Sequence, residues 1–142
     1  MNEPQKTLVQ QWVLRAENDL LNVANNIQAK RVPWDTVCFH CQQAAEKYIK
    51  AVLAVYAQEI PRTHDLEQLL ELTKEWVPKL EEVREDLQWL TVHAIVGRYP
   101  VEVVQETPGE TEGRRAQDIA QYVRERCRLF IERIDAGLLD QK

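Results

Sequence analysis

The stretch CFHCQQAAEKYIKAVLAVY, residues 38–56, continues an apolar series that begins at Val37 and recurs at Cys41, Ala44/Ala45, Tyr48, Val52 and Val55/Tyr56. Alternating steps of three and four put these side chains on one face of a helix. Alanines allow close approach of a second helix, so this segment, from Trp34-Asp35 to about Gln58, is expected to be the most buried. Upstream, Val9, Trp12/Val13, Ala16, Leu20, Val23 and Ile27 form a similar stripe between Gln5 and Lys30. Val32-Pro33 ends it, because a residue before proline is pushed out of the helical region.

Downstream, Ile60-Pro61-Arg62-Thr63-His64 reads as a short link. Asp65, with Gln68 three residues on, resembles a capping box for a helix carrying Leu66, Leu69, Leu70 and Leu72. After Pro78, Leu80, Val83, Leu87, Leu90 and Ala94 predict a fourth helix from about Lys79 to Val96, closed by Gly97 and Pro100. Residues 101–113 hold four glutamates, a Pro-Gly pair and Gly113, and read as an acidic surface loop. Ile119, Val123, Cys127, Phe130/Ile131, Ile134 and Leu138 predict a fifth helix from about Arg114 to Gly137. No strand pattern or internal repeat interrupts the series. The expected fold is all-α: one domain over residues 1–142, an antiparallel up-and-down bundle of about five helices.

With 142 residues, 44% of them apolar and 29% charged, the chain has material for one core and no mark of disorder. A net charge of −5 excludes the broad positive field needed for non-specific binding of a nucleic-acid backbone. Three cysteines form no disulfide framework, and neither a signal peptide nor a membrane-length apolar run is present, so a cytoplasmic location is expected.

The Cys38-Phe39-His40-Cys41 cluster suggests a metal, but adjacent helical positions point apart and a closed zinc site needs four ligands. Small buried thiols are the expectation, with no metal and no cofactor. Gly97, Gly109, Gly113 and Gly137 are isolated, so neither a phosphate loop nor a dinucleotide fingerprint exists. Residues 114–133 carry six arginines against three acids, +3 in a chain whose remainder is therefore −8. Arg114 and Arg115 fall at the expected start of the fifth helix, where the helix dipole disfavours cations unless the loop or an anion offsets them. His93 and Arg98 flank the fourth helix's end, as a phosphate clamp and proton shuttle would or as simple helix-end polar residues. Lys47 and Lys50 read as a solvated helix face that can also add positive charge to a site.

Four motifs together resemble the HEPN domain family: Arg15-Ala16-Glu17-Asn18-Asp19-Leu20, Phe39 through Ala51, Thr63-His64-Asp65-Leu66, and Gly97-Arg98-Tyr99-Pro100. The resemblance spans nearly the whole chain. It implies a helical bundle that dimerises along long helices and works with a minimal nucleotidyltransferase in two-gene prokaryotic modules, many of them toxin-antitoxin pairs. Ribonucleases of this family act without metal, through an Arg followed four to six residues later by a His. Here Arg84/His93 and Arg31/His40 each have eight residues between them and Arg62/His64 one, so that spacing is absent.

The chain is more similar to the Arg-Tyr-Pro branch, for which nucleotide or partner binding is the implied role. The expected function is a dimeric, nucleotide- or partner-binding component, with Arg98, Tyr99, Lys47 and Lys50 at the nucleotide and Tyr99 open to modification by the partner. The alternative is a ribonuclease toxin in which Arg98 holds phosphate and His93 or His64 moves the proton.

Overall fold

The computed structural model describes residues 1–96 and 107–140 and contains no strand among them. Five α-helices follow in order: α1 (Glu3–Ile27), α2 (Trp34–Val55), α3 (Leu66–Thr73), α4 (Arg84–Val96) and α5 (Glu110–Ile134). Short 3₁₀ turns at Pro78–Val83 and Leu138–Asp140 precede α4 and follow α5. The all-α bundle is the expected one, and its first turn explains one boundary. Asn2 Oδ1 accepts from Gln5 N and Gln5 Oε1 accepts from Asn2 N, each at 2.9 Å, so α1 begins with a reciprocal cap.

The second helix is the axis of the molecule. Most of α2 is buried, and it touches each of the other four helices. Gln5 Nε2 donates to Val55 O, while Asp19 meets His40 and Lys47, so α1 and α2 run antiparallel. Trp34 lies against Gly113 and Tyr56 against Phe130, which makes α5 parallel to α2 and antiparallel to α1. Residues 57–65 return along α2, because His64 lies beside Gln42 and Glu46. From there α3 descends parallel to α2, ending near Tyr56, which contacts Trp76 at 4.6 Å between ring centroids. Leu66 N donates to Thr91 Oγ1, and Glu67 meets Arg84 and Gln88, so α4 runs back antiparallel to α3.

With eight residues, α3 is below the roughly 12–15 that hold an isolated helix in water. Leu66, Leu69 and Leu70 are fully buried, and at about 1.5–3 kcal/mol per buried leucine they stabilise it through tertiary packing. Asp65 caps its start, accepting from Glu67 N at 3.0 Å. The return half of the expected capping box is not made by Gln68, since Asp65 N donates to Thr63 Oγ1 instead.

The largest departure from the sequence reading is the start of α5. It begins at Glu110, four residues before the expected Arg114, so the end of the acidic segment is helical. Gly109 N donates to Glu112 Oε1 at 2.8 Å and closes the first turn. Gly113 is a packing residue rather than a loop signal: a Cβ there would stand 2.4 Å from Trp34 Cε3. Arg114 and Arg115 therefore occupy the second turn, away from the unpaired amides of the helix start.

Candidate functional site

Two charged networks cover one side of α2. In the first, Asp19 of α1 is buried and accepts from Lys47 Nζ at 2.6 Å, with His40 Nδ1 on its other oxygen at 2.8 Å. His40 and Lys47 are seven residues apart, two helical turns, so one carboxylate serves both. In the second, Glu46 accepts from Lys50 Nζ at 2.9 Å and lies 2.7 Å from His64 Nδ1. Gln42 Nε2 donates to Glu46 Oε1 and to His64 O, fixing the link to α2 at two points. Glu46 and Lys50 keep only 5% and 7% of their side-chain exposure, whereas His64 keeps 72%. A buried carboxylate therefore holds one nitrogen of an imidazole whose body stands in solvent.

These contacts revise the reading of Lys47 and Lys50 as a solvated helix face. Lys50 is buried, and each ammonium is matched by a carboxylate because taking an unpaired charge out of water costs several kcal/mol, on the order of magnitude of a whole domain's stability. Lys50 also lies 5.6 Å from the centre of the Trp12 ring, which favours the cation.

The remaining candidates are placed differently. His93 Nδ1 donates to Trp89 O at 2.9 Å, one turn back on α4, and its ring stacks on Trp89 at 4.3 Å. A bond to a carbonyl oxygen requires the proton on Nδ1. Arg98 and Tyr99 lie outside the described residues. Leu66 N donates to Thr91 Oγ1, so the last described turns of α4 lie beside the link that bears His64.

A third network joins α1, α2 and α5. The Tyr48 hydroxyl donates to Glu17 Oε1, which also accepts from Arg124 Nε at 2.8 Å and Arg128 Nη1 at 3.1 Å. Burial first, and then the bond to Glu17, push the Tyr48 hydroxyl well above its ordinary range, so it stays a neutral donor. Cys38, Cys41 and Cys127 are all buried thiols. Burial drives each thiol upward, Cys38 to about 11 with help from Glu112 and Asp35, so none is a ready nucleophile. Among the described residues no His, Cys, Asp and Glu gather as a metal-ligand set, and no described helix is long and apolar enough to cross a membrane.

The family model described as the HEPN domain matches residues 9–134. The chain belongs to the HEPN domain family. No curated protein and no solved structure is significantly similar to it. Within this HEPN domain, three of the four motifs are bonded to one another. Asp19 of the first holds His40 and Lys47 of the second, and Gln42 and Glu46 of the second hold His64 of the third. Asp19, Gln42 and Glu46 were given no role by the sequence reading. For Gln42 and Glu46 a signal is present in the sequence: with Lys50 they recur every four residues along a largely apolar helix, a polar line where burial is expected.

Proposed function

We propose that this HEPN protein is the nucleotide- or partner-binding member of a two-gene module of toxin-antitoxin type, acting as a cytoplasmic dimer beside a minimal nucleotidyltransferase. The observation that supports this reading is the bonding of three of the four motifs into two charged networks on one side of α2, with His64 exposed above buried Glu46. Buried ion pairs often stabilise no better than well-packed apolar residues of similar volume, so the placement of Glu46 and Lys50 beneath exposed His64 favours a recognition surface over a purely structural core. In this reading the Arg98 guanidinium takes phosphate oxygens and the Tyr99 ring stacks on a base. Lys47 and Lys50 act through the carboxylates they hold in place. Tyr99 is the residue for a partner to modify.

The test is an affinity pull-down of tagged protein from its native host, with bound proteins identified by mass spectrometry and the intact mass of the bait measured. A small nucleotidyltransferase in comparable amount is expected. Recovery of RNA or ribosomes without such a protein would overturn the module reading.

One observation favours the ribonuclease alternative. His64 has its Nδ1 oriented by buried Glu46 and its outer edge exposed, the arrangement of a general acid or base. On that reading pure protein cleaves RNA in the presence of chelator, and both His64→Ala and Arg98→Ala abolish cleavage. Unchanged cleavage in either variant removes that residue from the mechanism.

A further inference from the structure

Aromatic rings and guanidiniums meet where α2 ends. Tyr56 lies 4.6 Å from the Trp76 ring and 6.1 Å from the Phe130 ring, measured between centroids. Trp76 and Phe130 wall a pocket of about 240 Å³ between the Pro78–Val83 turn and the C-terminal half of α5. Leu129, which keeps 48% of its exposure, lines it too, and Lys79, Arg126 and Arg133 bring charge to it. Glu82 answers Lys79 at 3.1 Å and accepts from the Tyr122 hydroxyl at 2.8 Å. Arg126 and Arg133 have no carboxylate partner among the described residues, unlike Arg115 with Asp86 and Arg124 and Arg128 with Glu17. Arg126 lies 5.2 Å over the Tyr122 ring, and its Nε is buried with no acceptor.

We propose that this pocket docks an acidic segment of a partner protein, one in which an apolar side chain stands between carboxylates. Three cations against one carboxylate, Glu82, leave a local charge of about +2 in a chain of −5. Two carboxylates of a peptide balance it, one on each free guanidinium, whose planar fork gives a carboxylate two parallel N–H bonds. The volume is below the roughly 300–1,000 Å³ of pockets that enclose a drug-sized ligand, and it suits a single apolar side chain against Trp76, Phe130 and Leu129. Tyr56 packs on both rings, so these walls are set before anything binds and little ordering entropy is lost. Aromatic and arginine side chains together are also the residues that dominate the energetics of protein interfaces. A nucleic-acid strand is the poorer match: its phosphates gain nothing from the apolar wall, and those beyond the pocket meet a net negative chain. No residue given a part in the function proposed above lines this pocket, so the two proposals stand or fall separately.

Fluorescence anisotropy of the full chain with a labelled, end-blocked peptide, Asp-Glu-Leu-Phe-Asp-Glu, tests it. One saturable site per chain is expected. The same peptide with Asn and Gln in place of its acids, and one with Ser in place of Leu and Phe, each bind at least tenfold weaker. Arg133→Glu, at an exposed position, weakens binding at least tenfold with unchanged circular dichroism, and Leu129→Ser weakens it at least threefold. Lys30→Gln, which removes an exposed cation beyond the far end of α1, binds as the parent does. Absence of a saturable site in the parent chain, equal binding of the peptide without acids, or full binding by the folded Arg133→Glu variant would each overturn the assignment. Displacement of the peptide by a short oligouridylate at lower concentration than by unlabelled peptide would also overturn it and give the pocket to nucleic acid.

Discussion

His64 Nδ1 lies 2.7 Å from Glu46 Oε1, so the link after α2 is anchored by a carboxylate that solvent barely reaches. Glu46 is also the counter-charge of buried Lys50, which makes it answerable to two partners on opposite sides of the interior boundary. Glu46→Gln leaves the ammonium buried without its charge and is expected to cost about 3–5 kcal/mol in urea unfolding. Glu46→Leu/Lys50→Met removes both charges and should recover most of that loss. A double variant no more stable than Glu46→Gln would show that the carboxylate acts mainly through His64 and Gln42.

Gly113 and Trp34 set the spacing of α2 and α5 where both helices begin. Gly113→Ala gains about 1 kcal/mol of helix propensity. It also drives a Cβ to 2.4 Å from an indole ring that packs on the core, and overpacking of this kind costs roughly 1–3 kcal/mol. The expected result is a lower melting temperature for Gly113→Ala, and no loss when the same change is made in a Trp34→Ala background. An equal loss in both backgrounds would exonerate the ring.

The same glycine shows where reading the sequence succeeds and where it stops. The burial of α2 was legible because Val37, Cys41, Ala45, Tyr48 and Val52 keep helical spacing without interruption. In the sequence Gly113 reads as part of a loop because glycine is permissive in isolation, and its need here comes from Trp34, seventy-nine residues away. Long-range polar pairing was hidden for the same reason. Asp19 finds His40 and Lys47 only when α1 packs on α2, and His64 reaches Glu46 only through the return of residues 57–65, although the Gln42, Glu46 and Lys50 line itself is legible. The six arginines were legible as a group, but which of them would find a carboxylate depended on Glu17 and Asp86 arriving from other helices.

Arg84 gathers three carboxylates, Glu67 at 3.0 Å, Glu81 at 2.6 Å and Glu71, at the junction of α3 and α4. Glu71 is held below its ordinary value by Lys74 and then Arg84, and Glu81 chiefly by Arg84. A carboxylate depressed in the folded state adds stability above its unfolded value of about 4.3, and that stability is lost as pH falls through the folded value. The urea midpoint of the parent chain should therefore fall modestly as pH drops below about 4.3. Arg84→Met should lower the midpoint at pH 6 and flatten its acid dependence. Some slope must survive, since Glu82 is depressed by Tyr122 and Lys79 without Arg84.

At the alkaline end the sign reverses. Burial pushes Cys38 up to about 11 and drives Cys41 and Cys127 higher, so the folded chain keeps thiols protonated where an unfolded chain releases protons near pH 8.5. Stability is whole below that value and declines as pH rises above it, by up to about 1.4 kcal/mol per unit for each fully buried thiol. The urea midpoint should drop between pH 8 and 10, and Cys127→Ala should lessen the slope while leaving a residual contribution from Cys38 and Cys41. A disulfide-exchange reagent at pH 8 should label none of the three thiols in the native chain and all three in denaturant. Rapid native labelling of Cys38 would mean that the Trp34 end of α2 opens far more readily than its packing against Gly113 implies.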